Sequence, residues 1–398
     1  MGFILPAVAR LTRLRQLLAL LLFFGVFVAS RSAQAYPWMI RHEYTGCATC
    51  HVDPSGGGVL TAYGATQGDV LLRTHYSAND SGEDNPSAGF LWGAVKPPAW
   101  FLPSGAVRTL ALASKNGNSG FGADFIVMQA DLRAAIVAGG FRAYASVGYV
   151  SSEGSAASLS GSIVSREHWF GWAFGADEEF LLRAGRIDLP FGLRQIEHTL
   201  FVRQSTRTDL NDTQQHGVAL SINSGIFRGE VMGIAGNYQV SPDAYRERGY
   251  SAYGEVALSS HAAVGLSSLI THAARDIYLR LPDTRQAHGA FGRWSPVLPL
   301  VLLAEVDVLH QSATSATGYS TMLQADIEPT QGVHLIATGE NMRLGGTSTS
   351  TSWSGWLGAG WFFAPHADVR FDFQKQSLAL GHSTLPVTAL MLQAHVYL

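Results

Sequence analysis

Apolar and polar positions alternate along most of the chain between residues 101 and 398. In residues 366–374 every odd-numbered position is apolar and every even-numbered position is polar or charged, and residues 141–149 follow nearly the same rule. A period of two indicates β-strands with one apolar and one polar face. About 16 such segments are separated by turn-forming residues, near 105–114, 124–138, 140–151, 163–174, 178–187, 215–224, 226–237, 248–258, 261–273, 285–296, 298–311, 318–328, 331–342, 353–363, 366–376 and 387–398.

A water-soluble sandwich and a membrane-spanning barrel both produce this alternation. In a sandwich the apolar face is the core, whereas in an outer-membrane barrel it faces lipid. The even number of segments, their length and the short turns at alternate junctions are typical of the barrel. Closure also removes the unpaired strand edges that lipid does not tolerate. The predicted fold is all-β, an antiparallel transmembrane outer-membrane β-barrel of about 16 strands over residues 101–398.

Clusters of aromatic residues agree with a barrel in lipid, where aromatic girdles mark the two membrane interfaces. Two segments are rich in them, and their rings are candidates for these girdles; ordinary core aromatics are the alternative. The residues are Trp169, Phe170, Trp172, Trp353, Trp356, Trp361, Phe362 and Phe363.

Charged residues gather where a barrel of this size would have an aqueous lumen. Two interpretations are open: the charges select permeating ions, with arginines favouring anions and carboxylates favouring cations, or they form solvated ion pairs across the wall. The arginine-rich stretch could also fold inward as a loop. Its residues are Arg183, Arg186, Arg194, Arg203 and Arg207 with Asp188, Glu197, Asp209 and Asp212, and further carboxylates on polar strand faces are Glu305, Asp307, Asp368 and Asp372.

The first 35 residues have the three parts of a secretory signal peptide. Three arginines precede an uncharged apolar run over residues 17–29, and the small-residue site Ala33-Gln34-Ala35 follows. The run is shorter than the ~20 residues of a membrane-spanning helix, which favours cleavage over anchoring. We therefore expect export, with a mature chain that begins near Tyr36.

Composition narrows the class of function. Only 14% of the residues are charged and 47% are hydrophobic, which is unlike a soluble cytosolic enzyme. Without the first 35 residues the chain has 23 basic and 30 acidic side chains, a formal charge of −7. No basic stripe is present to neutralise phosphates, so we expect no nucleic-acid partner.

The only two cysteines of the chain, Cys47 and Cys50, are followed at once by His51. This C-x-x-C-H spacing is typical of covalent haem c attachment. Two thiols one turn apart can each bind a vinyl group of one porphyrin, and the adjacent imidazole becomes the proximal ligand of the iron. The sequence predicts one covalent haem c.

Two other uses of the cysteines remain open. A dithiol or disulfide of thioredoxin type also uses C-x-x-C, but it is expected in a βαβ context that the surrounding sequence lacks. A structural zinc site needs four protein ligands, and no second pair of Cys or His stands at ligand spacing.

The second axial ligand of the iron is open among residues near the motif. His42 and His75 are the main alternatives, and Met39 is a third. A second imidazole suits electron transfer, whereas a methionine raises the reduction potential. Water or a residue of the barrel are the remaining possibilities.

The order of these parts resembles the fused monohaem cytochrome–porins of the outer membrane. The residues that carry the resemblance are Cys47, Cys50, His51 and the Leu60-Thr61-x-Tyr63-Gly64 stretch. It implies a signal peptide at 1–35, a cytochrome c-like segment at 36–76, a linker at 77–100 and a porin-like barrel at 101–398. The best-known members are taken to oxidise extracellular Fe(II) and to pass the electron inward.

The leading hypothesis is an outer-membrane c-type cytochrome that moves electrons between the cell exterior and the periplasm, with Fe(II) as a candidate donor. One haem is small beside the ~30 Å apolar slab, so a periplasmic cytochrome or other electron carrier is the expected partner, with outer-membrane lipid around the barrel. Whether this amounts to an oxidoreductase activity is left open. The alternatives are a diffusion porin with a haem-bearing plug or sensor segment, and a haem peroxidase, which needs an open sixth position.

Overall fold

The structure is a computed structural model that describes residues 36–76, 89–149, 163–197, 199–210, 213–345 and 351–398. The predicted signal peptide and residues 77–88 of the predicted linker lie outside the described residues. The strands are β1 Phe101–Asn116, β2 Gly122–Ala138, β3 Phe141–Tyr149, β4 Ile163–Val164, β5 His168–Phe174, β6 Phe180–Ile187, β7 Gln215–Ser224, β8 Phe227–Gly236, β9 Arg248–Ser259, β10 Ala262–Ala273, β11 Asp283–Val297, β12 Leu300–Gln311, β13 Ala316–Thr330, β14 Val333–Arg343, β15 Ser352–Ala364, β16 Ala367–Leu380 and β17 Ser383–Tyr397.

The strands form one closed antiparallel sheet. Strands that are consecutive in sequence pair with each other, except β4 with β5, and β1 pairs with both β2 and β17, which closes the ring. The short β4 and the longer β5 both pair with β3 and so occupy one strand position. The described residues thus form a 16-stranded barrel, which confirms the predicted barrel class and strand number.

Alternation along the strands separates an apolar outer face from a polar inner face. In β16, Phe371 is 47% exposed on the outside, whereas the neighbouring Asp372 is 0% exposed inside. Glu305 and Asp307 of β12 are buried in the same way, and Val306 between them faces outward. The buried face of this barrel is therefore its lumen, and the polar strand faces predicted from the sequence are confirmed.

Two of the predicted girdle aromatics face the lumen instead. Trp169 is 4% exposed and stacks on Tyr144, with the Arg183 guanidinium 5.2 Å from the centre of its ring. Trp356 is buried, and its indole N–H donates to Glu340 at 2.9 Å. The prediction for these two was wrong because aromatic type alone does not fix the strand face, and in both cases alternation places the side chain inward.

The two ends of the barrel differ in their connections. Short turns such as residues 139–140, 225–226 and 331–332 lie at one end, which we call the short-turn end. The other end carries longer connections. The longest lies between β6 and β7, and its described residues 188–197, 199–210 and 213–214 fold into the lumen. We call this connection the inward loop; it contains the helix α2 (Phe201–Thr206). Among the described residues, the helices are all too short or too polar to span a membrane.

The lumen also holds the segment 36–76, which we call the plug. It comprises a 3-10 helix, Pro37–His42, the motif region, and an α-helix, α1 Ala62–Leu72. Arg41 pairs with Asp326 of β13, and the Thr74 N–H donates to the Phe362 carbonyl of β15 at 2.9 Å. Buried apolar side chains of the plug, including Ile40 and Val59, pack with the inward loop and the wall. The apolar clusters therefore lie inside the barrel.

Candidate functional site

The three residues of the motif lie on a single turn of the plug. The His51 N–H donates to the Cys47 carbonyl at 3.0 Å, which is a helical i to i+4 bond. Such a turn puts residues three and four apart on one side of the chain. Cys47, Cys50 and His51 therefore project together, as joint attachment to one planar group requires.

After the motif the chain reverses direction, runs alongside residues 50–51, and begins α1 in contact with the motif turn. His51 pairs with Leu60 in an antiparallel bridge, and the Thr61 N–H donates to the Cys50 carbonyl at 2.7 Å. Thr61 also caps α1, because its hydroxyl accepts from the Gly64 N–H at 3.0 Å. A Cβ on Gly64 would lie 2.2 Å from the Cys50 carbonyl oxygen. Glycine at this position is what lets α1 pack directly on the motif.

A cavity of about 260 Å³ lies beside the motif, and Cys47, Cys50 and His51 all line it. One face of α1 and the run Gly56-Gly57-Gly58 form another part of its lining. The barrel supplies the rest, including Arg108, Gln129, Arg133 and His395. The motif thus faces an internal space bounded by the plug and the wall.

The state of the motif side chains suits a metal-binding group. Burial lowers the pKa of His51 to about 4, so its imidazole is neutral, the form that ligates iron. One ring nitrogen bonds to the backbone at Gly57, whereas Nδ1 is buried with no hydrogen-bond partner among the described residues. A histidine with one nitrogen held by the backbone and one left over is the usual arrangement of a metal ligand. Burial also raises the pKa of Cys50 to about 12, which keeps it a thiol.

These observations fit a haem c. Cys47 and Cys50 would bind the porphyrin through thioethers, and His51 would bind the iron as the proximal ligand. When bound, the haem supplies one-electron redox chemistry, and its potential depends on the axial ligands and the surrounding hydrogen bonds and burial. The chain would hold the ring, exclude water and set these surroundings.

Of the three residues predicted as alternatives for the second axial ligand, only one lines the cavity. His42 lies with its Nε2 3.4 Å from a Glu328 oxygen of β13, and His75 Nε2 lies 3.1 Å from the Asp69 carbonyl; neither lines the cavity. Met39 is buried and does line it. The ligand therefore stays a prediction, and the wall adds residues to the set.

Buried ion pairs fix the plug and the inward loop to the barrel. Arg183 of β6 pairs with Asp53 of the plug and with Glu230 of β8, and Arg194 of the inward loop lies 3.4 Å from Glu230. Arg203 of α2 pairs with Glu305 of β12. Buried charges need such partners. Between the two interpretations of the lumen charges, ion pairing is confirmed for these residues, but the pairs are buried and not solvated as expected. The inward fold of the loop is confirmed as well.

Sequence reasoning missed the wall side of the site. Arg108 and His395 were not singled out, although alternation places both on polar strand faces. Their proximity to the motif depends on how the plug docks in the lumen, and no local pattern encodes that docking. A usable signal was the set of charged residues and histidines on lumen-facing positions of β1, β2 and β17.

Comparison with known proteins bears on the barrel. The structure is similar to in-vitro folded OmpT, an outer membrane protein of Vibrio cholerae, with a TM-score of 0.56 at 9% identity over 77% of this chain and 100% of that chain. The anion-selective porin from Comamonas acidovorans has a TM-score of 0.53 at 13% identity, over 75% of this chain and 99% of the porin. The outer membrane channel DcaP of Acinetobacter baumannii has a TM-score of 0.54 at 9% identity, over 76% of this chain and 99% of the channel.

At these identities the likeness shows the fold alone: the chain has the β-barrel fold of outer-membrane porins. No protein-family model matches the chain, and no curated protein is similar to it in sequence. The three quoted names describe porins, channels or outer membrane proteins, and none names a cytochrome. The haem assignment therefore depends on the motif and on the geometry around it.

Proposed function

We propose that the protein is an outer-membrane barrel that holds one covalent haem c in its lumen and moves electrons between the cell exterior and the periplasm. The observation that carries the proposal is the joint projection of Cys47, Cys50 and His51 into one internal cavity. A plug without a cofactor would not need two thiols and a neutral imidazole on the same side of one turn.

The position of the cavity supports an electron-transfer role with a partner. Pro365 and His366, in the turn between β15 and β16, line the cavity, as does Tyr397 near the end of β17. These residues lie at the short-turn end, and short turns are periplasmic in outer-membrane barrels. A haem at this site lies nearer the periplasm, where a periplasmic cytochrome or other electron carrier would exchange electrons with it.

The test is removal of the attachment site. In the double variant Cys47→Ala/Cys50→Ala, we expect complete loss of covalent haem and of electron exchange with a periplasmic c-type cytochrome, with the barrel still inserted. Ala48→Ser, within the motif but not one of its three functional residues, is the matched control and retains haem. Unchanged electron exchange in the double variant would overturn the proposal.

A diffusion porin with a haem-bearing plug or sensor segment is the second candidate. The likeness of the barrel to solved porins favours it. Planar-bilayer conductance separates the two candidates: a protein with the plug seated in the lumen has small conductance under the first proposal. Large stable pores in the haem-loaded protein, without electron exchange, would make the channel the function.

Extracellular Fe(II) is the electron donor to test first, because the fused cytochrome–porins that the sequence resembles are taken to use it. Stopped-flow mixing of the oxidised protein with Fe(II) measures reduction of the haem directly. Reduction at a rate that depends on Fe(II) concentration is the expected result. A haem that Fe(II) leaves oxidised, but that a periplasmic cytochrome reduces, would reverse the direction of flow.

A further inference from the structure

The barrel wall provides a histidine to the cavity of the motif. His395 lies on β17 and lines the same cavity as Cys47, Cys50 and His51. We propose that His395 is the second axial ligand of the haem iron and that Asp368 of β16 is the residue that positions it. This proposal rests on the proposed function, since it requires the haem.

The hydrogen bonding of His395 fits this role. Its Nδ1 lies 2.9 Å from Oδ2 of Asp368, which pairs with it across β16 and β17. A carboxylate only accepts, so Nδ1 carries the proton and donates. Nε2 then keeps its lone pair, and nothing in the described residues hydrogen-bonds to it. A carboxylate that holds the outer nitrogen of a ligating histidine is the common arrangement around protein-bound metals.

The other candidates fit less well. His42 and His75 contact Glu328 and the Asp69 carbonyl, and neither lines the cavity. His366, in the turn between β15 and β16, also lines the cavity, but its ring packs against the rings of Trp92 and Tyr397. Met39 lines the cavity without a polar group to orient it, and its sulfur would give a different spectrum. His395 alone among these combines a place on the cavity with a carboxylate that orients its ring.

The barrel wall beside His395 also carries polar and basic side chains that could bind the propionate groups of a haem. Arg108 of β1 lies directly opposite His395 in the strand register, and Gln129 of β2 lies opposite Arg108. Both line the cavity. Within the described residues no ion pair joins Arg108 to a carboxylate, whereas Arg133 pairs with Asp131 at 3.0 Å. A haem propionate would supply the missing anion, next to the proposed ligand.

The experiment uses the full chain matured with covalent haem and reads the spin state of the ferric iron by electron paramagnetic resonance and absorption. The unmodified protein is expected to be low-spin with two imidazoles. His395→Ala is expected to lose the low-spin signal and become high-spin, and added imidazole is expected to restore it. A merely structural histidine would not give this rescue. His366→Ala, also on the cavity, is the matched control and stays low-spin.

Two more variants keep the test decisive if His395→Ala folds poorly. His395→Met is expected to stay low-spin with a higher midpoint potential, because thioether ligation raises the potential. Asp368→Asn is expected to stay low-spin. Because the carboxylate that holds the ligating histidine is lost, we expect cyanide to displace this histidine at about tenfold lower cyanide concentration.

The failures are distinguishable. A mature protein without covalent haem overturns the proposed function. A haem-loaded protein in which His395→Ala remains low-spin overturns the assignment of the ligand alone. A change to high spin in Met39→Leu, His42→Ala or His75→Ala, but not in His395→Ala, would transfer the role to that residue. High-spin iron in the unmodified protein would also contradict the proposal and would favour an open sixth position.

Discussion

At the scale of single residues, Gly64 decides how α1 meets the motif. A methyl group at this position would collide with the Cys50 carbonyl, a backbone atom that cannot move aside cheaply. We expect Gly64→Ala to displace α1 and to destabilise the plug by about 1–3 kcal/mol, the usual range for overpacking. Limited proteolysis of the plug and the haem content per chain would measure the effect.

Gly68 offers the matched control in the same helix. A Cβ there would meet no atom of the protein within 4 Å, so Gly68→Ala adds the same methyl group without a collision. It should leave the plug resistant to protease. Equal sensitivity of the two variants would show that the contact between Gly64 and Cys50 is not what seats α1.

Some residue positions follow from the sequence and others do not. Alternation in β16 places Asp372 in the lumen without any structure. The pairing of Arg183 with Asp53 joins residues 130 positions apart, and it exists only because the plug enters the barrel. Strand periodicity specifies a face but not the partner across the lumen, so the ion pairs and the wall of the cavity required the structure.

At the scale of elements, α2 is held in the lumen through Arg203. This residue is fully buried, pairs with Glu305 and donates to the Phe191 carbonyl at 3.1 Å. Arg203→Ala would leave Glu305 buried without its cation, at a cost of about 3–5 kcal/mol to the inward loop. We expect a looser loop and a larger single-channel conductance in planar bilayers.

The control for this prediction is a pair on the surface. Arg248 lies 2.7 Å from Asp243, and both side chains are well exposed. Arg248→Ala should leave the conductance unchanged, since solvent-exposed pairs contribute little. If Arg203→Ala conducts like Arg248→Ala, the inward loop is not held by the buried pair.

Glu247 makes the same loop sensitive to acid. It lies 2.8 Å from Arg207 of the loop and 2.6 Å from Arg285 of β11. Burial alone would raise the pKa of Glu247, but these two guanidinium groups outweigh it and lower the pKa from 4.5 to about 2. Its stabilisation is therefore present above about pH 4.5 and is lost as the pH falls towards 2.

We expect the free energy of unfolding to decrease with acidification across this window, and to decrease less in Glu247→Gln. Urea titrations of the protein in lipid vesicles, at steps between pH 5 and pH 2.5, would measure both. Equal pH dependence of the two proteins would exclude Glu247 as the titrating group.

The order and approximate position of the strands were predictable because each barrel strand carries its own period-two signal. The segment predicted at 248–258, for example, is β9 at Arg248–Ser259. The strand lengths were less so: the segment predicted at 105–114 is β1 at Phe101–Asn116. The break between β4 and β5 was not predictable. At the break the Ser146 N–H donates to the Glu167 carbonyl at 2.9 Å, and the Ser146 hydroxyl accepts from the Glu167 N–H at 2.9 Å. A contact between strands leaves no mark in the alternation of one of them.

At the scale of the whole molecule, the outer face of the barrel should contact lipid. Leu266 in β10 and Leu298 in the turn before β12 are both 69% exposed. Leu266→Arg places a charge in the apolar band and should cost about 2–4 kcal/mol of folding free energy in lipid. Leu298→Arg adds the same charge at the short-turn end and should cost much less. Equal costs in vesicle-folding titrations would contradict a lipid-facing outer surface.

The central claim is that a folded outer-membrane barrel carries one covalent haem in its lumen. The most direct test is the pyridine haemochrome spectrum of the purified, matured protein after extraction of non-covalent haem. The account predicts a c-type spectrum with one haem per chain, which is absent from Cys47→Ala/Cys50→Ala. A colourless protein that nevertheless inserts into membranes as a barrel, after expression with the haem-attachment machinery, would contradict it.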